Sequence, residues 1–240
     1  LAEYISTGIQ TLDTLLGGGY QTGNIFLLLE EPGAGGAVFG YHFIASNTLP
    51  SDKRPLFIST NSTAEEIWEK LHEINRNLTK ESVQVVDLFA QRFPTLLSKS
   101  GTSLSAAEYL RSGYDPLNHT KSVINRGSFT KCVIDSLSYF ILNYKFDEII
   151  EFIEFCSMVV RKNDSVILMT MGKGMHDPRT ETAIMYEVDG VFEMAVHEKE
   201  TGLERTVKFR KMPGLKIPKE IIRYDLSEKG IKMDMLRRVL

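Results

Sequence analysis

The segment Glu30-Glu31-Pro32-Gly33-Ala34-Gly35-Gly36-Ala37-Val38 joins a continuous apolar run, Asn24 to Glu30, to an apolar helical stretch from about Ala37 to Ala45. A glycine-rich turn at that point frees backbone N–H groups to converge on an anion at a helix amino terminus, the arrangement that cradles phosphates. The residue types in this turn oppose that chemistry. It holds no lysine to neutralise a polyphosphate and no serine or threonine to hold a metal, while Glu30 and Glu31 bring two carboxylates to its entrance. A unit-charge pair near 4 Å is worth roughly 4 kcal/mol at an effective dielectric of 20, so exchanging attraction for repulsion would cost several decades of affinity.

Asp135 closes a second apolar run, Thr130 to Asp135, and is a carboxylate of the kind that holds magnesium through water. A magnesium bound by one protein carboxylate normally needs substrate phosphates as well, so a structural role beside Ser136 or the glycine turn is the preferred reading. The five histidines, His42, His72, His119, His176 and His197, share no ligand spacing with one another or with Cys132 and Cys156, and no zinc site follows. His42, inside the apolar helix after the turn, reads as a satisfied interior or interface histidine. Asp177, Arg179 and Glu181 read as a solvated loop, and Arg205 to Lys211 as a solvated strand face. No Ser/His/Asp or Cys/His nucleophile arrangement can be argued.

The elements that must position these residues alternate between short apolar runs and longer helical patterns. Strands are predicted over Asn24 to Glu30, Arg54 to Thr60, Ser82 to Asp87, Thr130 to Asp135 and Asp164 to Met171. Thr63 and Glu66 form a capping-box pattern opening a helix from Ala64 to Asn75. Asp147 to Val160 carries an apolar face among acidic residues, as an amphipathic helix does. Residues from about Phe89 to Gly127 read as a loop followed by one or two helices. Such alternation implies parallel strands joined by right-handed crossovers, an α/β domain with helices on both faces. After residue 187 the pattern changes to strands joined by tight turns, predicting an antiparallel extension over residues 188–240 of a single 1–240 domain, with 1–187 as its α/β core.

The run from Ile5 to Tyr20, ISTGIQTLDTLLGGGY, resembles the opening of the KaiC-like branch of the RecA/RadA ATPase superfamily. Thr22-Gly23-Asn24 fits the step before that family's first buried strand, and Cys132 to Leu137 resembles its Walker B strand. Lys211-Met212-Pro213-Gly214 and Tyr224 to Ile231 resemble its closing motifs. The resemblance implies a RecA-like, mostly parallel central sheet with a C-terminal antiparallel β extension. It also implies a vestigial phosphate loop at Gly33, Ala34, Gly35, Gly36, Ala37 and Val38, with Asp135 as the Walker B aspartate. Aligned on the family's loop, Gly36 stands at the lysine, Ala37 at the Ser/Thr and Glu30 at the first glycine. The family's paired glutamates are replaced by Asn61 and Ser62, in a frame set by Ala64-Glu65-Glu66-Ile67. Lys211 remains from a Lys-x-Arg pair offered to a neighbour, with Pro213 at the arginine.

Three losses acting on one transition state imply a pseudo-ATPase with no catalytic residues, no metal and no cofactor. The expected role is regulatory or as an assembly subunit, acting through protein or peptide contacts, with a possible homo-oligomer. Lys211, Met235, Leu236, Val239 and Leu240 are the candidate interface residues. The alternatives are an ATPase with a rearranged loop, using ATP and magnesium, and a recombinase-like DNA-binding accessory. With 240 residues, a formal charge of -3 and 42% hydrophobic residues, the composition is that of a globular protein and gives no reason to expect wholesale nucleic-acid binding. Its apolar runs are too short to span a membrane. Two cysteines in apolar surroundings and no visible secretory pattern suit a cytoplasmic protein.

Overall fold

A computed structural model describes residues 3–46, 53–92, 113–200, 202–214, 221–228 and 230–234. In chain order the elements are β1 (Tyr4–Ile5), α1 (Gln10–Leu15), β2 (Tyr20–Gln21), β3 (Asn24–Glu30), α2 (Gly36–Ala45), β4 (Leu56–Ser59), α3 (Ala64–Ile74), β5 (Gln84–Asp87) and α4 (Leu88–Arg92). They continue with α5 (Pro116–Arg126), β6 (Lys131–Asp135), α6 (Leu137–Asn143), α7 (Phe146–Asn163), β7 (Val166–Gly172), α8 (Pro178–Glu187), β8 (Gly190–Lys199), β9 (Gly202–Lys211), β10 (Ile222–Ser227) and β11 (Gly230–Asp234).

β3 lies inside a nine-stranded sheet of order β11-β10-β9-β8-β3-β7-β6-β4-β5. Its side chains alternate between the two faces, as strand geometry requires. Phe26 and Leu28 join Phe57, Val133, Leu168 and Phe192 in one core. Ile25, Leu27 and Leu29 join Ile58, Ile134, Ile167 and Met169 in the other. Burial on both faces explains why the run is continuously apolar rather than alternating. The fold is α/β, with a mostly parallel sheet and antiparallel strands at its C-terminal end.

The capping box at Thr63 is present, with Glu66 N–H donating to Thr63 Oγ1 and Thr63 N–H to the Glu66 carboxylate at 2.8 Å. Among the helices not expected from the sequence, two bear on the site. One is α6, capped by Ser136, whose hydroxyl accepts from Ser138 N–H. The other is α8, which starts where a solvated loop is predicted: Asp177 accepts from Arg179 N–H and Pro178 opens the first turn. The Asp-Pro pair is a helix-start signal.

That helix also corrects the reading of the last third. α8 serves as the crossover that returns the chain to the sheet, so β8 runs parallel to β3, from Phe26 opposite Gly190 to Glu30 opposite Met194. The antiparallel strands begin only at β9, not at residue 188. Cys132 and Cys156 are fully buried free thiols, and burial raises the pKa of both.

Candidate functional site

β3, β6 and β7 are parallel and central, so their carboxyl ends open on one edge of the sheet, where ligands of open α/β sheets bind. The glycine turn lies at that edge, between Glu30 at the end of β3 and Gly36 at the start of α2. Gly35 caps α2 in the left-handed region at φ +81°, a conformation that L side chains rarely adopt.

Glu30 turns into the loop. Its Oε2 accepts a hydrogen bond of 2.6 Å from Gly36 N–H, and the Gly35 backbone also bonds to its carboxylate. A Cβ built on Gly36 would lie 2.7 Å from the Glu30 carboxyl carbon, so a larger residue at 36 would require this end of the Glu30 side chain to move. Burial, opposed by the Gly36 bond and reinforced by the charge of Asp135, pushes the Glu30 pKa up to about 7. Two further N–H groups of the turn are used within it: Ala34 N–H bonds the Glu31 carbonyl and Val38 N–H the Gly35 carbonyl.

Glu31 turns the other way, accepting from Lys173 Nζ at 2.8 Å and from Val196 N–H at 2.9 Å. The Lys173 bond holds its pKa below the usual range. Lys173 reaches Glu193 as well, at 2.7 Å, and Glu193 also pairs with Arg210. Arg210 first, then Lys173, depresses the Glu193 pKa to about 2. From the antiparallel strands, Arg205 Nε donates to the Gly33 carbonyl and the Tyr224 hydroxyl to the Ala34 carbonyl, each at 2.8 Å. Leu226 lies directly against Gly35. The glycine loop is therefore clamped by β9 and β10.

Asp135 is buried, and its Oδ1 accepts 2.6 Å from Thr170 Oγ1, not from Ser136 or the glycine loop as the sequence suggests. Burial raises its pKa and the Thr170 bond opposes that. Thr170 is the lone polar residue in the run Val166 to Met171, a signal that a buried partner was needed. Between Glu30, Glu31, Asn61, Asp135, Lys173 and the apolar pair Leu142 and Met175 lies a cleft of about 530 Å³. Ser138, also on its wall, accepts from Gly172 N–H and lies 2.9 Å from His176 Nε2, a pair that sequence reasoning did not anticipate. The Glu181 carboxylate accepts from the His176 backbone N–H, at 3.3 Å.

A model of the KaiC ATPase family matches residues 5–237. This chain belongs to that family. Among solved structures, the fold is similar to that of a KaiC-like protein from the hyperthermophilic archaeon Pyrococcus horikoshii OT3, with a TM-score of 0.72 and 18% identity over 98% of this chain and 100% of that one. No curated protein sequence matches the chain.

Within this KaiC-family frame, the positions singled out by sequence fall into three groups. Asp135 lines the cleft together with Glu30, Glu31 and Pro32 at the start of the turn, while Gly33 to Val38 are not among its lining residues, and Asn61 lies exposed on its edge. Ser62 sits beside it, its N–H donating to Ser59 Oγ, while Glu65 and Glu66 belong to the first turn of α3. Lys211 is held within its own chain: its ammonium donates to the Tyr186 and Val188 carbonyls at 2.7 and 2.6 Å, closing the carboxyl end of α8. Met235, Leu236, Val239 and Leu240 lie outside the described residues. His42 is a structural residue, as expected, accepting 2.9 Å from Ile231 N–H. Among the described residues there is no group of three or more His, Cys, Asp or Glu that could hold a metal, and no helix long and apolar enough to cross a membrane.

Proposed function

We propose that this KaiC-family chain is a pseudo-ATPase that acts through protein or peptide contacts, as a regulator or a subunit of an assembly. The observation that carries this reading is the Glu30 carboxylate on the Gly36 N–H. The N–H groups that would cradle phosphates hold a carboxylate of the same chain, and a phosphate entering there would have to displace it. Gly36 and Ala37 bring neither ammonium nor hydroxyl, and Glu31 and Asp135 add negative charge on the same cleft. The donor set therefore does not fit a magnesium–triphosphate. Asn61 and Ser62 cannot take a proton from water as a carboxylate does.

The competing reading is a nucleotide-binding enzyme that uses backbone N–H groups and Asp135 without a lysine. The open cleft and the retained Asp135 favour it. Calorimetric titration of the chain with Mg-ATP separates the two. The expected result is no binding heat and no phosphate release; tight binding with turnover would overturn the pseudo-ATPase reading.

A further inference from the structure

Ser138 lies on the wall of the cleft, in the first turn of α6, where its N–H donates to Ser136 Oγ at 3.1 Å. Its hydroxyl has two polar neighbours, each at 2.9 Å: the N–H of Gly172, the last residue of β7, and His176 Nε2. The Gly172 group can only donate, and assigning the hydroxyl hydrogen to the imidazole satisfies both contacts. Nε2 is then the acceptor and Nδ1 carries the ring proton, the tautomer in which a histidine draws a proton from a serine.

The pair stands on fixed elements, as a reacting constellation requires. Lys173 N–H bonds the Glu30 carbonyl at 2.7 Å, and His176 N–H bonds the Glu181 carboxylate at 3.3 Å, so the turn between β7 and α8 is tied at both ends. Burial holds the His176 pKa below 6.5, opposed by the charge of Glu181, which keeps the imidazole neutral at pH 7 and able to take a proton.

The cleft around the pair selects a substrate class. Leu142, four residues along α6 from Ser138 and so on the same helix face, is 58% exposed, and Met175, next to His176, is 54% exposed. These two side chains offer apolar surface beside the hydroxyl. Glu30, Glu31 and Asp135 line the same cleft and repel anions. A neutral ester with a short aliphatic acyl group suits both features, and its carboxylate product is driven out.

We infer that Ser138 and His176 form a nucleophile and base that hydrolyse esters of short, uncharged aliphatic acids. Ser138 Oγ bonds to the carbonyl carbon while His176 Nε2 takes the hydroxyl proton. The bond from that carbon to the alcohol oxygen breaks, and the alcohol leaves with the proton from His176. Water then attacks the acyl-serine, giving a proton to His176, and the acid departs as Ser138 recovers its proton. This activity goes beyond the pseudo-ATPase reading and does not rest on it.

A fluorophosphonate, which a serine nucleophile attacks at phosphorus with loss of fluoride, tests the pair on the intact chain. One label per chain is expected, and peptide mass mapping should place it on Ser138. The chain should also turn over p-nitrophenyl butyrate many times, about threefold or more faster than the acetate, because the longer acyl group covers more apolar surface. Ser138→Ala should abolish both label and turnover. His176→Gln, which keeps a polar side chain but no base, should lower kcat/KM by about a hundredfold or more. Met158→Ala, on an exposed side chain of α7 (71% exposed), should change neither. An intact chain that takes no label on Ser138 overturns the inference without recourse to any variant. So does a labelled chain that shows no multiple turnover, or turnover that survives either substitution in a chain of unaltered circular dichroism. Equal rates on the two esters overturn the assignment of the acyl group to Leu142 and Met175.

Discussion

The carboxylate of Glu30 lies 2.6 Å from the backbone nitrogen of Gly36, and a Cβ at residue 36 would lie 2.7 Å from that same carboxyl group. The two residues are therefore mutually dependent: the acid occupies space that the glycine vacates.

Gly36→Ala is expected to push the Glu30 carboxylate off the turn and to cost about 1 kcal/mol, the loss of its hydrogen bond to the backbone. In a Glu30→Gly background the same change should cost much less. Urea denaturation of the four chains in a double-mutant cycle measures the coupling. Additive effects would mean that the carboxylate does not occupy the loop.

Restoring nucleotide affinity should require the pair together. Gly36→Lys alone introduces an ammonium whose stem meets Glu30, and Glu30→Gly alone leaves no cation at the loop. The combination Glu30→Gly/Gly36→Lys/Ala37→Thr is expected to bind Mg-ATP at least tenfold more tightly than either single variant, a gain of about 1.4 kcal/mol or more. Calorimetry reads it directly. Equal affinities would remove Glu30 as the obstacle.

Glu30 also predicts a pH dependence. Its pKa in the folded chain, about 7, lies above the unfolded value of 4.5, so the folded state holds the extra proton between these limits. Stability should fall as pH rises from about 4.5 to 7 and stay low above that. Glu30→Gln, which cannot ionise, should flatten this part of the profile in urea melts at pH 5.5 and pH 8.

His42 acts in the opposite sense. Its Nε2 must be unprotonated to accept from Ile231 N–H, and burial lowers its pKa below 6.5, opposed by a backbone bond at Gly8. The stability it contributes is present above pH 6.5 and lost as pH falls through its depressed folded value. His42→Ala is expected to cost about 1–3 kcal/mol at pH 8, by leaving a strand N–H unpaired, and less at pH 5. Gly230→Ala should be severe at any pH, because its Cβ would meet His42 Nε2 at 2.0 Å with φ at +95°. Hydrogen exchange at β11 would show whether this strand loosens first.

Glu193 collects Arg210 and Lys173 beside the site, and its folded pKa of about 2 lies below the unfolded value. Its contribution is present above about pH 4.5 and fades as pH falls toward 2. The partners are partly exposed, so Glu193→Gln is expected to cost about 1–2 kcal/mol at neutral pH, with the loss shrinking in acid. Thermal melts at pH 7 and pH 3 would show the difference.

The sequence by itself determined the family, the central strands, the glycine turn and the absence of lysine and hydroxyl from it. These are properties of contiguous residues: the burial of β3 shows as an unbroken apolar run, and the start of α3 as Thr63 and Glu66 three residues apart. It also carried the Asp-Pro signal for α8, and without that helix the parallel placement of β8 could not be seen. Only the tertiary structure decided which way each carboxylate turns. Glu31 looks outward because Lys173 and Val196, more than 140 residues away, arrive beside it through parallel crossovers. Asp135 is held by Thr170 from the neighbouring strand, and Lys211 is drawn inward by the open carbonyls of α8. Glu30 faces inward because β9 and β10 fold over the turn and close it through Arg205, Tyr224 and Leu226. A side chain's direction follows from the electrostatics and packing of whatever the fold sets next to it, and those neighbours are distant in the chain.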